Sequence, residues 1–283
     1  VAHPWQTLLG KQTLVMGVLN VTPDSFSDGG RYDTVETAVA HAQALIADGA
    51  HLLDIGGEST RPATFGDQSP LPPDEEKRRI LPVIERLAAG LPHIPLSVDT
   101  YKAEVARAAL DAGASVINDI SGLTFDPAMA ALAATRNVPL ILMHLPGRPR
   151  DLPAHPVYGD IVADVLAFFQ RQIAYAEAQG VRREQLWLDP GLGFGKTAGH
   201  NLELLRRLLE LKALGFPLVV GASRKKFLGK ILGTDDPSDR KEGTAATVAL
   251  SIAGGADMVR VHDVREMARV AKVSDAIVRG WEE

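Results

Sequence analysis

The 283-residue chain carries 30 basic against 35 acidic side chains, a formal charge of −5, and at 46% hydrophobic and 23% charged it has the balance of an ordinary globular protein. It contains no cysteine, which excludes disulfides, Cys-ligated zinc, iron–sulfur clusters and thiol nucleophiles, and its acidic balance argues against charge-driven nucleic-acid binding. No apolar run approaches the roughly 20 residues of a membrane span, and Val1–Trp5 lacks the basic-then-apolar order of a signal peptide, so a cytoplasmic protein is expected.

Eight short runs rich in Val, Ile and Leu follow one another along the chain: Leu14–Leu19, His51–Ile55, Pro95–Val98, Ser115–Ile120, Pro139–Met143, Gln185–Leu188, Pro217–Val220 and Asp257–Val261. They are apolar at consecutive positions, as strands buried on both faces of a parallel sheet are. Between them, segments such as Val35–Ala47, Lys102–Asp111, Ile161–Ala178 and Asn201–Leu214 carry apolar residues at helical spacing. Gly49, Gly113, Gly180, Gly215 and Gly255 stand where helices should stop. Gly49-Ala50, Gly113-Ala114 and Gly255-Ala256 each precede a strand, and five residues after these glycines stand Asp54, Asn118 and Arg260. This weak repeat places a polar residue at one depth in three units. Eight βα units over this length predict an α/β fold, a (β/α)₈ barrel in a single domain spanning residues 1–283. A doubly wound open sheet is disfavoured, because no G-x-G-x-x-G follows the first strand.

Each predicted strand ends in a polar group: Asn20, Asp54, Asp99, Asn118-Asp119, His144, Asp189, Ser223-Arg224-Lys225, and Arg260 with His262. Taken singly, any of these is as readily a helix cap or turn former. Together, at the end of a barrel where active sites lie, they point to a shared ligand site. Three loops there stand out. Val21–Gly30 has turn chemistry yet presents Phe26, and Gly56–Pro62 opens a stretch of more than ten loop-like residues, the pattern of a functional loop or a tolerated insertion. Asp189–Thr197 is rich in glycine, but Gly191 and Gly195 are only four apart, so the phosphate-loop spacing G-x-x-x-x-G-K-[ST] fails. Arg260 and His262, two apart, share a strand face next to Ser223–Lys226, where barrels often bind phosphate. Asn20 and nearby aspartates are oxygen ligands that suit Mg²⁺. No H-x-H, H-E-x-x-H or G-x-S-x-G is present, which argues against zinc hydrolases and serine hydrolases. Asp99, Asn118, Asp189 and Lys225 remain as donors and acceptors for a flat, amide-rich heterocycle.

The segments Val15–Gly30 and Leu53–Pro62 resemble the two signatures of the dihydropteroate synthase family. The likeness continues through Ser97–Thr100, Ile117–Ile120, Leu142–His144, Leu188–Gly191, Gly221–Lys225 and Val259–Asp263 in family order. The resemblance implies a pterin-binding barrel, usually a homodimer, that joins a dihydropterin pyrophosphate to p-aminobenzoate with Mg²⁺, in folate biosynthesis, and is competed by sulfonamides. It assigns Asp99, Asn118, Ile120, Met143, Asp189, Gly193 and Lys225 to the pterin. Asn20, Thr60, Arg61, Arg260 and His262 fall to the pyrophosphate, and Asn20, with Asp28 as a second candidate, to the metal. Phe26, Thr60, Arg61, Pro62, Ser223 and Lys225 fall to p-aminobenzoate. Asp99, Lys225, Arg260 and His262 are the residues expected to carry the reaction.

The residue types agree with a substitution in which pyrophosphate leaves first. A neutral aromatic amine needs no strong base, and no general-base triad is apparent. Two rival readings remain at this point. A corrinoid methyltransferase barrel shares the pterin pocket, but has no use for a pyrophosphate site. A non-catalytic homologue would be expected to have lost metal or loop residues, whereas Asn20, Asp99, Lys225, Arg260 and His262 are all present.

Overall fold

All eight apolar runs form strands. In chain order they are β1 (Leu14–Asn20), β2 (Leu52–Gly56), β3 (Leu96–Asp99), β4 (Val116–Asp119), β5 (Leu140–Met143), β6 (Leu186–Asp189), β7 (Val219–Val220) and β8 (Met258–Val261). The computed structural model describes residues 7–22, 31–58, 70–148, 151–152 and 156–281. The strands are parallel, in the order β6-β5-β4-β3-β2-β1-β8-β7. A parallel bridge between Leu188 and Leu218 joins β6 to β7 and closes the ring. The fold is therefore the expected (β/α)₈ barrel.

Helices return the chain on the outside: α1 (Arg31–Ala47), α2 (Pro73–Gly90), α3 (Ala103–Asp111), α4 (Ala128–Arg136), α5 (Ile161–Ala178), α6 (Ala198–Arg206), α7 (Leu208–Lys212), α8 (Lys226–Leu232), α9 (Lys241–Ala253) and α10 (Val264–Arg279). The five glycines expected at helix ends all take positive φ. The segment predicted as one helix over Asn201–Leu214 is broken at Arg207, whose backbone leaves helical geometry at φ −109° and ψ 26°. Its guanidinium is held by both oxygens of Asp160 and by Glu210, and the break leaves Leu204, Leu208 and Leu211 all buried against the barrel.

Period-two alternation splits each strand between two environments. Val15, Leu53, Ile117, Leu142, Leu188 and Val259 point outward into the apolar shell under the helices. Met16, Leu52, Val116, Ile141, Trp187, Val219 and Met258 point inward and fill the lower barrel with one apolar plug. Two residues beyond that plug, the same parity brings Asp54, Asn118, Met143, Asp189, Gly221 and Arg260 to the inner face. Asp99 is aligned with Asn118 and with Gly56, and Gly56 with Asn20. At the opposite end, Asp275 of α10 accepts hydrogen bonds from the backbone N–H and hydroxyl of Thr13 at 2.6 and 2.7 Å, tying the last helix to the first strand.

Candidate active site

The inward residues above the plug enclose a cleft of about 330 Å³, counting its open mouth. Its lining is Asp99, Asn118, Ile120, Met143, Asp189, Gly191, Leu192, Phe194, Gly221, Lys225 and Arg260. One end is polar and the other, around Ile120, Met143 and Phe194, is apolar and continuous with buried Tyr101 and Leu145.

A connected network organises the polar floor. Asp54 is fully buried, and its Oδ2 accepts from Asn118 Nδ2 at 2.9 Å and from Arg260 Nε at 2.6 Å. Arg260 Nη2 donates to Asp99 Oδ2 at 2.8 Å. The repeat detected in the sequence thus has a physical meaning: Asp54, Asn118 and Arg260 meet in one cluster. Burial pushes the Asp99 carboxyl up to about 7; Arg260 opposes that shift and Asp54 adds to it. Asp99 Oδ1 is buried without a hydrogen-bond partner, although its mate faces a guanidinium. An unsatisfied carboxylate oxygen on a cleft wall is costly unless a ligand donor completes it. Burial likewise raises Asp189, whose Oδ1 accepts from the Gly191 amide at 2.7 Å.

Lys225 lies across the cleft with Nζ 3.9 Å from the centre of the Phe194 ring. Its stem rests on Gly193: a Cβ there would lie 2.8 Å from Lys225 Cδ, and φ at Gly193 is +82°. Gly193, expected at the pterin, therefore backs Lys225 and makes room for its stem. His262 is mostly buried beside the cleft. Ser223 Oγ accepts from its backbone N–H at 3.2 Å and lies 3.0 Å from its Nδ1. The hydroxyl can both donate and accept, so Ser223 anchors His262 through its backbone N–H and through Nδ1 together, which fixes the orientation of the ring. Burial first, then Arg260, Arg224 and Lys225, hold the imidazole down at about 3, so it is neutral at pH 7. Arg224 is turned away from the site, in a bidentate pair with Asp263 at 2.9 and 2.6 Å.

Asn20, Asp99, Asn118, Ile120, Met143, Asp189, Lys225 and Arg260 thus come to one end of the barrel, with Ser223 and His262 beside them. Phe26, Asp28, Thr60, Arg61 and Pro62 lie outside the described residues. Two of the polar strand ends do not belong to the site. Asp119 points outward, accepting from the Ser121 amide and hydroxyl and from the Leu123 amide. His144 also faces outward, its ring edge-on to Phe168 of α5 at 4.9 Å. Both residues directly follow an inward residue, so parity sends them to the helix layer. Gly191, Leu192, Phe194 and Gly221 are lining residues to which the sequence reading assigned no ligand. The signal for Gly221 was its even spacing from Val219; for Phe194 it was an aromatic set among glycines.

Residues 16–262 match the family described as pterin binding enzyme. The chain is 52% identical over 276 residues to a dihydropteroate synthase of Synechocystis, covering 97% of this chain and 94% of that one. The chain belongs to the dihydropteroate synthase family. A crystal structure of the Clostridium difficile dihydropteroate synthase in the presence of pteroic acid superposes with a TM-score of 0.89 at 45% identity, covering 96% of this chain and 98% of the other. The Xanthomonas albilineans dihydropteroate synthase with 4-aminobenzoic acid gives a TM-score of 0.86 at 46% identity, covering 94% and 93%.

Proposed function

We propose that this chain condenses a dihydropterin pyrophosphate with p-aminobenzoate, releasing dihydropteroate and pyrophosphate. The observation that carries this reading is the cleft floor. Asp99, Asn118, Asp189, Lys225 and Arg260 alternate acceptors and donors beneath an apolar wall of Ile120, Met143 and Phe194. That pattern suits a flat heterocycle whose rim bears amine and amide groups and whose faces are apolar. Asp99 Oδ1 accepts a ring N–H, Asn118 and Asp189 read the remaining rim, and Lys225 donates from above.

Pyrophosphate departs from the exocyclic carbon first, and that carbon's positive charge is shared with the pterin. Asp99, on the floor and ionised above about pH 7, opposes that charge electrostatically. Neutral His262 offers its Nε2–H to the leaving group. An anion bound there draws its pKa back upward, so the ring can hold a proton beside the departing oxygen. Ser223 fixes the ring's orientation from behind. The amine attacks without a base, because it is already neutral, and the proton its nitrogen sheds once the N–C bond has formed passes to the released pyrophosphate or to water.

Magnesium fits the donor chemistry at the rim. Asn20 supplies a neutral amide oxygen on the inner face, a hard ligand of the kind that completes a shell made mostly of phosphate oxygens and water. Asn20, with Asp28 as a second ligand, would hold it there, and it would neutralise charge on the leaving pyrophosphate. Thr60 and Arg61 serve the pyrophosphate and, with Phe26, Pro62, Ser223 and Lys225, the p-aminobenzoate, where sulfonamides compete. Residues 1–283 act as one domain, and two copies form a homodimer. Exposed Leu250, Val273 and Ile277, on the packed helices α9 and α10, are an apolar surface available to the second copy, which sedimentation equilibrium tests. No helix among the described residues is long and apolar enough to cross a membrane.

The deciding experiment mixes the protein with Mg²⁺, dihydropterin pyrophosphate and p-aminobenzoate, with and without excess EDTA. Dihydropteroate appears only with metal. A folded protein that forms no product overturns the reading. Pyrophosphate release that never precedes amine binding, in rapid-quench experiments, overturns the order of steps.

A further inference from the structure

The glycine-rich loop after β6 ends in a lysine that the proposed reaction does not use. Lys196 Nζ donates to three backbone carbonyls: Gly191 O at 3.0 Å, Phe194 O at 3.1 Å and His144 O at 3.3 Å. An ammonium has three hydrogens, and these three bonds use them all. Two of the carbonyls belong to the loop itself and the third to the end of β5.

The rest of the loop is arranged around that cation. Two of its amides turn the other way: Gly191 N–H donates to Asp189 Oδ1 and Gly193 N–H to Asn201 Oδ1, each at 2.7 Å, while the Phe194 N–H closes a turn onto Gly191 O at 3.2 Å. Gly191, Gly193 and Gly195 all take positive φ, which allows carbonyls and amides to segregate to opposite sides. The approach at Gly191 is so close that a Cβ would lie 2.1 Å from His144 O. A phosphate loop gathers amides around an anion; this loop gathers carbonyls around a lysine. Its outer residues are cleft wall: Gly191, Leu192 and Phe194 line the cleft, Phe194 carries Lys225 on its face, and Gly193 supports the Lys225 stem.

We propose that Lys196 is a positioning residue: its ammonium folds the loop after β6 into the pterin-facing wall and so sets Phe194 and Lys225 at the ligand. The inference deepens the proposed function and rests on it for the identity of the ligand. Without the ammonium, three carbonyls converge with nothing between them, and the loop must open.

The test replaces the ammonium while keeping the stem, Lys196→Met, beside Lys196→Arg. Steady-state kinetics are read together with calorimetric binding of 6-hydroxymethylpterin. The Met variant is expected to bind the pterin at least tenfold more weakly. Its KM for dihydropterin pyrophosphate should rise as much, with kcat within threefold of wild type, and the Arg variant should recover part of the loss. A merely structural role would lower the melting temperature and the active fraction but leave KM and the pterin Kd unchanged, and that result overturns the proposal. Failure of the proposed function is distinguishable: wild type then forms no product, while calorimetry still compares pterin binding by the variants.

If neither variant folds, wild-type protein decides. Burial brings Lys196 down to about 7, Lys225 lowering it further and Asp189 opposing. Hydrogen exchange across residues 190–197, corrected for the chemical rate, should therefore accelerate about tenfold from pH 6 to 8.5. The other titratable groups facing the loop are His144, whose carbonyl receives Lys196 and whose ring burial holds down at about 2, below that range, Tyr158, whose hydroxyl donates to Gly195 O, and His200, whose Nδ1 accepts from the Thr197 N–H. Burial raises Tyr158 to about 12, outside that range, and His200→Gln serves as the control for the imidazole. A flat exchange profile overturns the proposal.

Discussion

Asp54→Asn removes one negative charge from the cleft floor and keeps the side chain's shape. Asp54 is fully buried, and its Oδ2 receives both Asn118 and Arg260. Charge-assisted hydrogen bonds contribute about 1.5–3 kcal/mol and neutral ones about 0.5–1.5 kcal/mol, so neutralising the shared acceptor should cost about 2 kcal/mol over the two bonds. The guanidinium keeps Asp99, so the total should stay below the ~3–5 kcal/mol of a buried pair broken outright. Urea denaturation at pH 7.5 should read a loss of about 2–3 kcal/mol. A second consequence has a definite sign. Asp54 is one of the groups that raise Asp99, so its neutralisation lowers the Asp99 pKa from about 7. Pterin binding needs the Asp99 carboxylate, and the acid limb of kcat/KM for the pterin substrate should therefore move to lower pH in the variant. A stability loss under 1 kcal/mol, or an acid limb that moves upward, would refute the account of the floor as one coupled network.

Three further outcomes follow from single contacts. His144→Leu should reduce acid lability. Burial holds this imidazole at about 2 against 6.5 when unfolded, so the unfolded chain binds the extra proton and stability is lost as pH falls below 6.5. The variant should lose about 2 kcal/mol less than wild type between pH 7 and pH 5 in urea melts, and an unchanged difference would contradict it. Gly193→Ala places a methyl 2.8 Å from Lys225 Cδ at a backbone with φ +82°. It should raise KM for the pterin substrate at least fivefold, and unaltered kinetics would show that the Lys225 stem has other room. Lys225→Ala should raise KM for both substrates, since the ammonium is assigned to both; an effect confined to one would remove it from the other site.

How far the sequence was legible depends on the range of the interaction being read. Strand parity is local. Once Leu52, Val116 and Met258 are taken as inward, counting two residues on gives Asp54, Asn118 and Arg260 without coordinates. The same count would have sent Asp119 and His144 outward. Position at a strand end alone groups them with the site, and that is a weaker criterion than parity. The break at Arg207 was not legible, because the residue is a good helix former on local propensity, and the contacts that accompany the break, with Asp160 47 positions earlier and with the barrel beneath Leu208 and Leu211, are long-range. Asp54 illustrates the same limit at the site itself. Its importance comes from Arg260, 206 residues away; the repeat places both at one depth, but the ion pair between them is a contact across the barrel that the repeat does not specify. Glycine-rich loops lie between these cases. The spacing of Gly191, Gly193 and Gly195 correctly argued against a phosphate loop, but it did not say which way the carbonyls turn. That direction depends on a cation placed one residue after the last glycine. A lysine closing a glycine run therefore supports two opposite folds, amides inward around a bound anion or carbonyls inward around the lysine itself. Only the spacing of the glycines, set against the reach of the lysine stem, separates them.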